Sequence, residues 1–122
     1  MKNALPYVRE TVESVLAQDY SELELIVVDD GSTDGSGDYI RGVADPRVRL
    51  IDGSSWGYPG GRNLGIETAR GEIILIGDAD DVFPPGRIRA QVEWLAAHPD
   101  HCAVMGYMSF IWHDGAPLVT VD

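Results

Sequence analysis

Three carboxylates, Asp78, Asp80 and Asp81, follow directly on the aliphatic run Ile73-Ile74-Leu75-Ile76-Gly77. A run of that length, too short for a lone helix, predicts a buried strand over 73–76. Acids placed directly behind such a strand lie at the carboxyl edge of a sheet, where open α/β folds bind ligands. Asp78 and Asp80 alternate along an extended backbone, so both can face one way with Ala79 turned aside. Two hard oxygen donors on one side suit Mg²⁺ or Mn²⁺, above all when a diphosphate completes the shell. The alternative is a helix N-cap ahead of Pro84-Pro85, yet a cap needs one acid and here there are three. A second acidic pair, Asp29-Asp30, ends the run Glu24-Leu25-Ile26-Val27-Val28 and precedes the turn Gly31-Ser32-Thr33-Asp34-Gly35.

Elements must exist to hold these acids, and their periodicities are legible. Leu5, Val8, Val12, Val15 and Leu16 recur at helical steps, predicting an amphipathic helix over 6–18 with Pro6 in its first turn. Residues 24–28 predict a first strand, and a short helix capped by Asp34 or Ser36 runs to about Val43. Arg47 to Ile51 alternates polar and apolar, as a half-buried or edge strand does. A glycine-rich loop over 52–61 carries Trp56 and Tyr58, and a helix follows from Arg62 to Arg70 with Gly71 as its stop. Another helix is predicted over 85–97, ended by His98-Pro99. Residues 102–112 predict one long strand or two short ones, with a turn at Asp114-Gly115 and a returning strand from Pro117 to Val121. Helix and strand in alternation mean an α/β fold, a mostly parallel sheet with helices on both faces.

Composition narrows the chemistry. The net charge is −11, from 20 acidic against 9 basic residues, which argues against a nucleic-acid partner. Acidity does not exclude a phosphate ligand, since a bound divalent cation reverses the local field. Lys2 is the only lysine, so there is no phosphate loop of the G-x-x-x-x-G-K-[ST] type. It also removes a receiver-type signalling module, which resembles this chain in its strand-end acids but needs a lysine late in the fold. The single cysteine, Cys102, lies in an apolar run and reads as buried core. His98, His101 and His113 have no ligand spacing. No apolar stretch nears the length of a membrane span and no signal-peptide pattern opens the chain, so a cytoplasmic placement is expected, with membrane association left to a longer protein.

Asn3, the helix end Ser14-Val15-Leu16-Ala17-Gln18-Asp19-Tyr20, Glu24 to Asp34, Arg62-Asn63-x-Gly65, Ala69-Arg70-Gly71-Glu72 and Asp78-Ala79-Asp80-Asp81 stand in one order. Together they resemble the opening of family 2 glycosyltransferases, from residue 3 to about residue 100. The resemblance implies a GT-A fold, a nucleoside-diphosphate sugar donor (a UDP-sugar favoured), Mn²⁺ or Mg²⁺, and an inverting transfer to an acceptor hydroxyl in polysaccharide or glycoconjugate synthesis. The acceptor, whether saccharide, lipid or protein, stays open.

Carried over by position, Asp30 is similar to the acid that accepts the base N–H, and Asp29 stands beside it in the nucleotide-sugar site or caps the turn at Gly31. Asp78 is similar to the ribose-contacting acid and shares the metal with Asp80, the ligand that bridges to the diphosphate. Asp81 either supports the metal through water or caps the next helix. Arg62 is the cation for the diphosphate, its alternative an ion pair with Glu67 or another acid. Trp56 and Tyr58 stack on the ligand or lie exposed against the domain.

The resemblance also marks departures. The family opens with a strand that lies between those carrying Asp30 and Asp78, and here a helix comes first. Its general base lies in a motif beyond Asp122, so no catalytic residue is assigned within the chain. Residues 1–122 therefore read as a single partial GT-A domain, cut at both ends. Two consequences are expected: little or no turnover by this chain alone, and self-association through open sheet edges. An inactive fragment that serves only donor binding or association is the rival reading.

Overall fold

The computed structural model describes residues 1–54, 56–106, 110–111 and 117–119 of the chain. It resolves into two compact units, Met1–Ile88 and Arg89–Asp122. In the first, helix α1 (Leu5–Leu16) leads to strand β1 (Leu25–Asp29), helix α2 (Ser36–Arg41), strand β2 (Val48–Asp52) and helix α3 (Gly57–Thr68). Helix α4 (Arg87–Ala97) begins at the end of that unit, and strands β3 (Phe110–Ile111) and β4 (Pro117–Val119) belong to the second.

Strands β1 and β2 pair in parallel, with Leu25 opposite Val48, Val27 opposite Leu50 and Asp29 opposite Asp52. Alternation sorts β1 into two faces. Leu25 and Val27, with Val48 and Leu50 of β2, pack against the buried cluster of Val8, Val12 and Ile40 from α1 and α2. On the other face Val28 meets α3, where Gly61 and Gly65 leave just enough room: a Cβ built on them would lie 3.5 and 3.4 Å from the Val28 methyls. Helices thus cover both faces of a parallel pair, the α/β arrangement read from the sequence.

The far edge of β1 is partly satisfied by the first residue. The Met1 amino group donates to the Val28 carbonyl, and Asp30 N–H donates to the Met1 carbonyl at 2.8 Å. This is the pattern of a parallel bridge at the carboxyl end of the strand.

Four expectations need correction. Residues 73–76 do not form a buried strand: Ile73, Ile74 and Ile76 are 44, 43 and 46 % exposed, and among the described residues no backbone ladder includes them. An aliphatic run becomes a strand only where a neighbour pairs with its N–H and C=O groups. Helix α3 starts at Gly57, inside the predicted loop, because the chain turns helical through the glycines before Arg62. Residues 102–106 are irregular rather than extended in a sheet. Cys102 is exposed, not core. The β3–β4 pairing is antiparallel, as expected of a returning strand, while the proposed turn at Asp114-Gly115 and His113 lie outside the described residues.

The segment after Gly77 is held by a helix. Side chains of α1 and of Gln18 just beyond it hydrogen-bond the backbone of residues 79–88. Thr11 Oγ1 donates to the Ala79 carbonyl at 2.9 Å, and Ser14 Oγ accepts Phe83 N–H at 3.0 Å. Gln18 Nε2 donates to the Phe83 and Pro84 carbonyls at 3.2 and 3.0 Å, while its Oε1 accepts Ile88 N–H at 3.2 Å. Thr11, Ser14 and Gln18 stand at i, i+3 and i+7, one helical face.

Helix α4 ends where His98 stacks on Trp94, ring centroids 4.1 Å apart, and its Nδ1 lies 2.7 Å from the Trp94 carbonyl. That is the helix-end role expected of His98. Among the described residues no helix is long and apolar enough to cross a membrane.

Candidate active site

Asp78 follows Gly77 on an exposed stretch whose turn is closed by its own acids. Asp81 Oδ2 accepts Asp78 N–H at 3.0 Å, and Asp81 N–H donates to the Asp78 carbonyl at 3.1 Å. Asp81 thus closes the turn on Asp78, a contact that is neither the support of a metal nor the cap of the next helix. Ala79 turns inward to the α1–α2 cluster, so the acids on either side of it point outward.

Asp78 Oδ1 collects two donors. Arg62 Nη2 reaches it at 2.6 Å and the Tyr58 hydroxyl at 3.1 Å, and the guanidinium lies over the Tyr58 ring, 4.5 Å from its centroid. Both donors come from α3, four residues apart, so one helical turn delivers them together. The Asp78 hydrogen bond pushes the Tyr58 phenol pKa up and, as the largest cause, raises that of Arg62 as well. Arg62 therefore pairs with Asp78 rather than with Glu67. Tyr58 is an addition to the sequence reading, which had it stacking on ligand or lying exposed; its spacing of four from Arg62 was the available signal.

Asp78 Oδ2 and the whole Asp80 carboxylate have no hydrogen-bond or ion-pair partner among the described residues. These are hard oxygens on an exposed surface, the donor chemistry Mg²⁺ and Mn²⁺ take. Among the described residues no group of three or more His, Cys, Asp or Glu side chains converges on one point. The pair fits a cation only when ligand and water oxygens fill the rest of the shell, as is usual for Mg²⁺ beside phosphates.

The acids at the end of β1 go separate ways. Asp29 points to the α2 side, where its Oδ1 accepts Ser32 N–H at 3.0 Å. It lines a cleft of about 480 Å³ with Gly31, Ser32, Arg41, Asp52 and Ser54. Asp52 is held below the usual carboxylate range by the Ser54 N–H at 2.9 Å. Asp30 lies one residue past the end of β1, and its Oδ2 is 3.7 Å from Lys2 Nζ. No hydrogen bond or ion pair joins Asp29 or Asp30 to Arg62, Asp78 or Asp80 among the described residues. Trp56 is 61 % exposed.

Asn3 and Asp34 brace the turn between β1 and α2. Asn3 Oδ1 accepts Thr33 N–H at 2.8 Å, and Asp34 Oδ2 accepts Leu5 N–H at 2.9 Å. A hydrogen bond from the Ser36 hydroxyl, the largest cause, keeps the Asp34 carboxyl below its usual range.

The glycosyl transferase family 2 description matches residues 1–117. The chain belongs to glycosyl transferase family 2. It is 38 % identical over 112 residues to an uncharacterized glycosyltransferase of Nostoc sp., a match covering 89 % of this chain and 34 % of that protein. It is 41 % identical over 92 residues to the succinoglycan biosynthesis protein ExoO of Rhizobium meliloti, covering 75 % of this chain and 26 % of ExoO. The crystal structure of S. aureus TarS 1–349 superposes with a TM-score of 0.73 at 27 % identity, over 81 % of this chain and 31 % of that one. The fold is therefore that of the GT-A glycosyltransferases, and the chain spans about a quarter to a third of the length of these relatives.

Proposed function

We propose that this family 2 chain binds the donor in an inverting transfer from a nucleoside-diphosphate sugar, with a UDP-sugar favoured, to an acceptor hydroxyl in polysaccharide or glycoconjugate synthesis. The observation that supports this reading best is the grouping of Arg62, Tyr58 and Asp78 beside Asp80, which has no hydrogen-bond or ion-pair partner among the described residues. Asp30 would accept the N–H of the base, an ionised side chain being acceptor-only. Arg62, already charged and exposed, would exchange Asp78 for phosphate oxygens, which its planar fork matches. Asp80 with Asp78 Oδ2 would hold Mn²⁺ or Mg²⁺, which when bound supplies positive charge for the departing diphosphate. Asp29, which caps the Gly31 turn, would act through the backbone it orders.

The proton of the acceptor hydroxyl needs a base, and the family resemblance puts that carboxylate beyond Asp122. The chain alone is then expected to turn donor over slowly or not at all. A rate equal to that of a full-length relative would overturn this part of the proposal. Donor binding itself is tested by melting the chain with UDP, GDP or neither, each with and without Mn²⁺. Ligand that binds the native state must raise the apparent melting temperature. A rise with UDP that grows with Mn²⁺ is expected; no rise with any of the four ligand mixtures sinks the donor-site reading.

A second reading draws on the exposed Ile73, Ile74 and Ile76, whose backbone is in no ladder among the described residues and is open to a second copy of the chain. Sedimentation that stays monomeric as concentration rises would remove it.

A further inference from the structure

The backbone that carries Asp78 and Asp80 is tied to α1 at one point close to the acids. The Thr11 hydroxyl has a single proton and two carbonyls in reach, Ala79 at 2.9 Å and Tyr7 at 3.4 Å. The shorter contact takes it, and the Tyr7 carbonyl keeps its bond within the helix. Thr11 is 9 % exposed, so water competes poorly for that proton. Ala79 is the residue between the two acids, and its side chain packs on the cluster of Val8 and Val12, residues that flank Thr11 on α1. One peptide is thus gripped twice, at its methyl by packing and at its carbonyl by a hydroxyl.

We propose that Thr11 is a positioning residue for Asp78 and Asp80. The turn over 78–81 closes on itself through Asp81, so it holds together without Thr11, but its orientation would then rest only on the packing of the Ala79 methyl and the exposed contacts of Asp78. Rotation would swing the two carboxylates together, away from a common ligand and away from Arg62 and Tyr58. The Thr11 bond sets the angle at which they face out. Ser14 and Gln18 anchor the chain farther on, at Phe83, Pro84 and Ile88, and leave the orientation of residue 79 undetermined. The role of Thr11 rests on the reading of Asp78 and Asp80 as the pair that holds metal and diphosphate.

Thr11→Val keeps the shape of the side chain and removes the donor, while Thr11→Ser restores the donor. Two measurements on the wild-type chain and both variants separate the outcomes. Amide hydrogen exchange in T11V is expected to accelerate at residues 78–81 and to stay unchanged at Val12 and Val15, with T11S near wild type. UDP binding in the presence of Mn²⁺ is expected to weaken about tenfold in T11V and to recover in T11S, the size typical of losing a partner that orients a metal ligand. UDP binding without metal should be equal in all three. Unchanged exchange at 78–81 in T11V overturns the grip on Ala79. Accelerated exchange with unchanged UDP–Mn²⁺ affinity overturns the positioning role. A wild-type chain that binds no UDP with Mn²⁺ overturns the donor-site reading and the positioning role with it, while the exchange data still establish whether the contact is structural.

Discussion

Gln18 and Ile88 stand 70 positions apart, yet the Gln18 side-chain oxygen accepts the Ile88 N–H at 3.2 Å while the same amide donates to the carbonyls of Phe83 and Pro84. A buried primary amide here does the work of a neighbouring strand: it satisfies both polarities of a passing backbone. Gln18 is 7 % exposed, so those backbone groups have little water to turn to if it is lost.

Gln18→Leu is therefore expected to cost about 2–4 kcal/mol of unfolding free energy. It keeps the volume but leaves the Ile88 N–H and the Phe83 carbonyl without that partner, while the Pro84 carbonyl keeps the Arg87 N–H at 3.2 Å. Urea denaturation of both proteins checks this; a loss below about 0.5 kcal/mol would mean the 83–88 backbone finds other partners.

Arg62 and Asp78 test function rather than stability. Both side chains are about half exposed, 41 and 50 %, and an ion pair of that kind adds little to folding. Arg62→Ala should leave the melting temperature of the free chain nearly unchanged and weaken UDP–Mn²⁺ binding by about tenfold or more. A variant with wild-type UDP affinity would show that the guanidinium serves Asp78 alone.

Glu24 predicts a pH dependence. It accepts Arg70 N–H at 2.6 Å and Arg49 Nη1 at 2.7 Å, tying the start of β1 to β2 and to the chain beyond α3. The Arg70 N–H first, then Arg49, lower its pKa below the ordinary value. A depressed folded pKa contributes stability that is full above the unfolded value, about 4.3, and lost as pH falls through the lower folded one. Wild type and Glu24→Gln should thus differ most at neutral pH and converge in acid. Denaturation midpoints from pH 3 to 7 measure it; a constant difference across that range would exclude the linkage.

Gly53 is a packing test. A Cβ there would lie 2.5 Å from Val28 Cγ1 and 3.4 Å from the Asp29 carbonyl. Valine is stiff at χ1 and cannot swing clear cheaply. Gly53→Ala is expected to destabilise by about 1–3 kcal/mol, whereas Gly106→Ala, with open space around it, should change little. Equal effects of the two would show that the β1–β2 end can relax.

Much of this was readable along the chain. The three-and-four spacing of Val8, Val12 and Val15 marked α1, and the strand before Asp29 and the one over Arg47 to Ile51 emerged within a residue or two. Those signals are local, since burial on one face imposes a period on neighbouring residues. Motif spacing also named Arg62 and Asp78, which the fold brings into contact. The strand expected over 73–76 failed for the same reason the others succeeded. Its aliphatic run carried the right composition, but a strand is a pairing, and composition does not name the partner.

The sequence by itself determined the alternation of helix and strand, the family, and the acids and arginine on which any donor chemistry would depend. Tertiary structure alone decided that Asp30 lies beside Lys2 while Asp29 accepts the Ser32 N–H, and that Tyr58 and Arg62 share one carboxylate oxygen of Asp78. It also decided that Thr11, Ser14 and Gln18 hold the backbone behind the acids. Periodicity records which side of an element is buried, whereas a hydrogen bond across some 70 residues depends on where two chain segments meet, and no local pattern carries that.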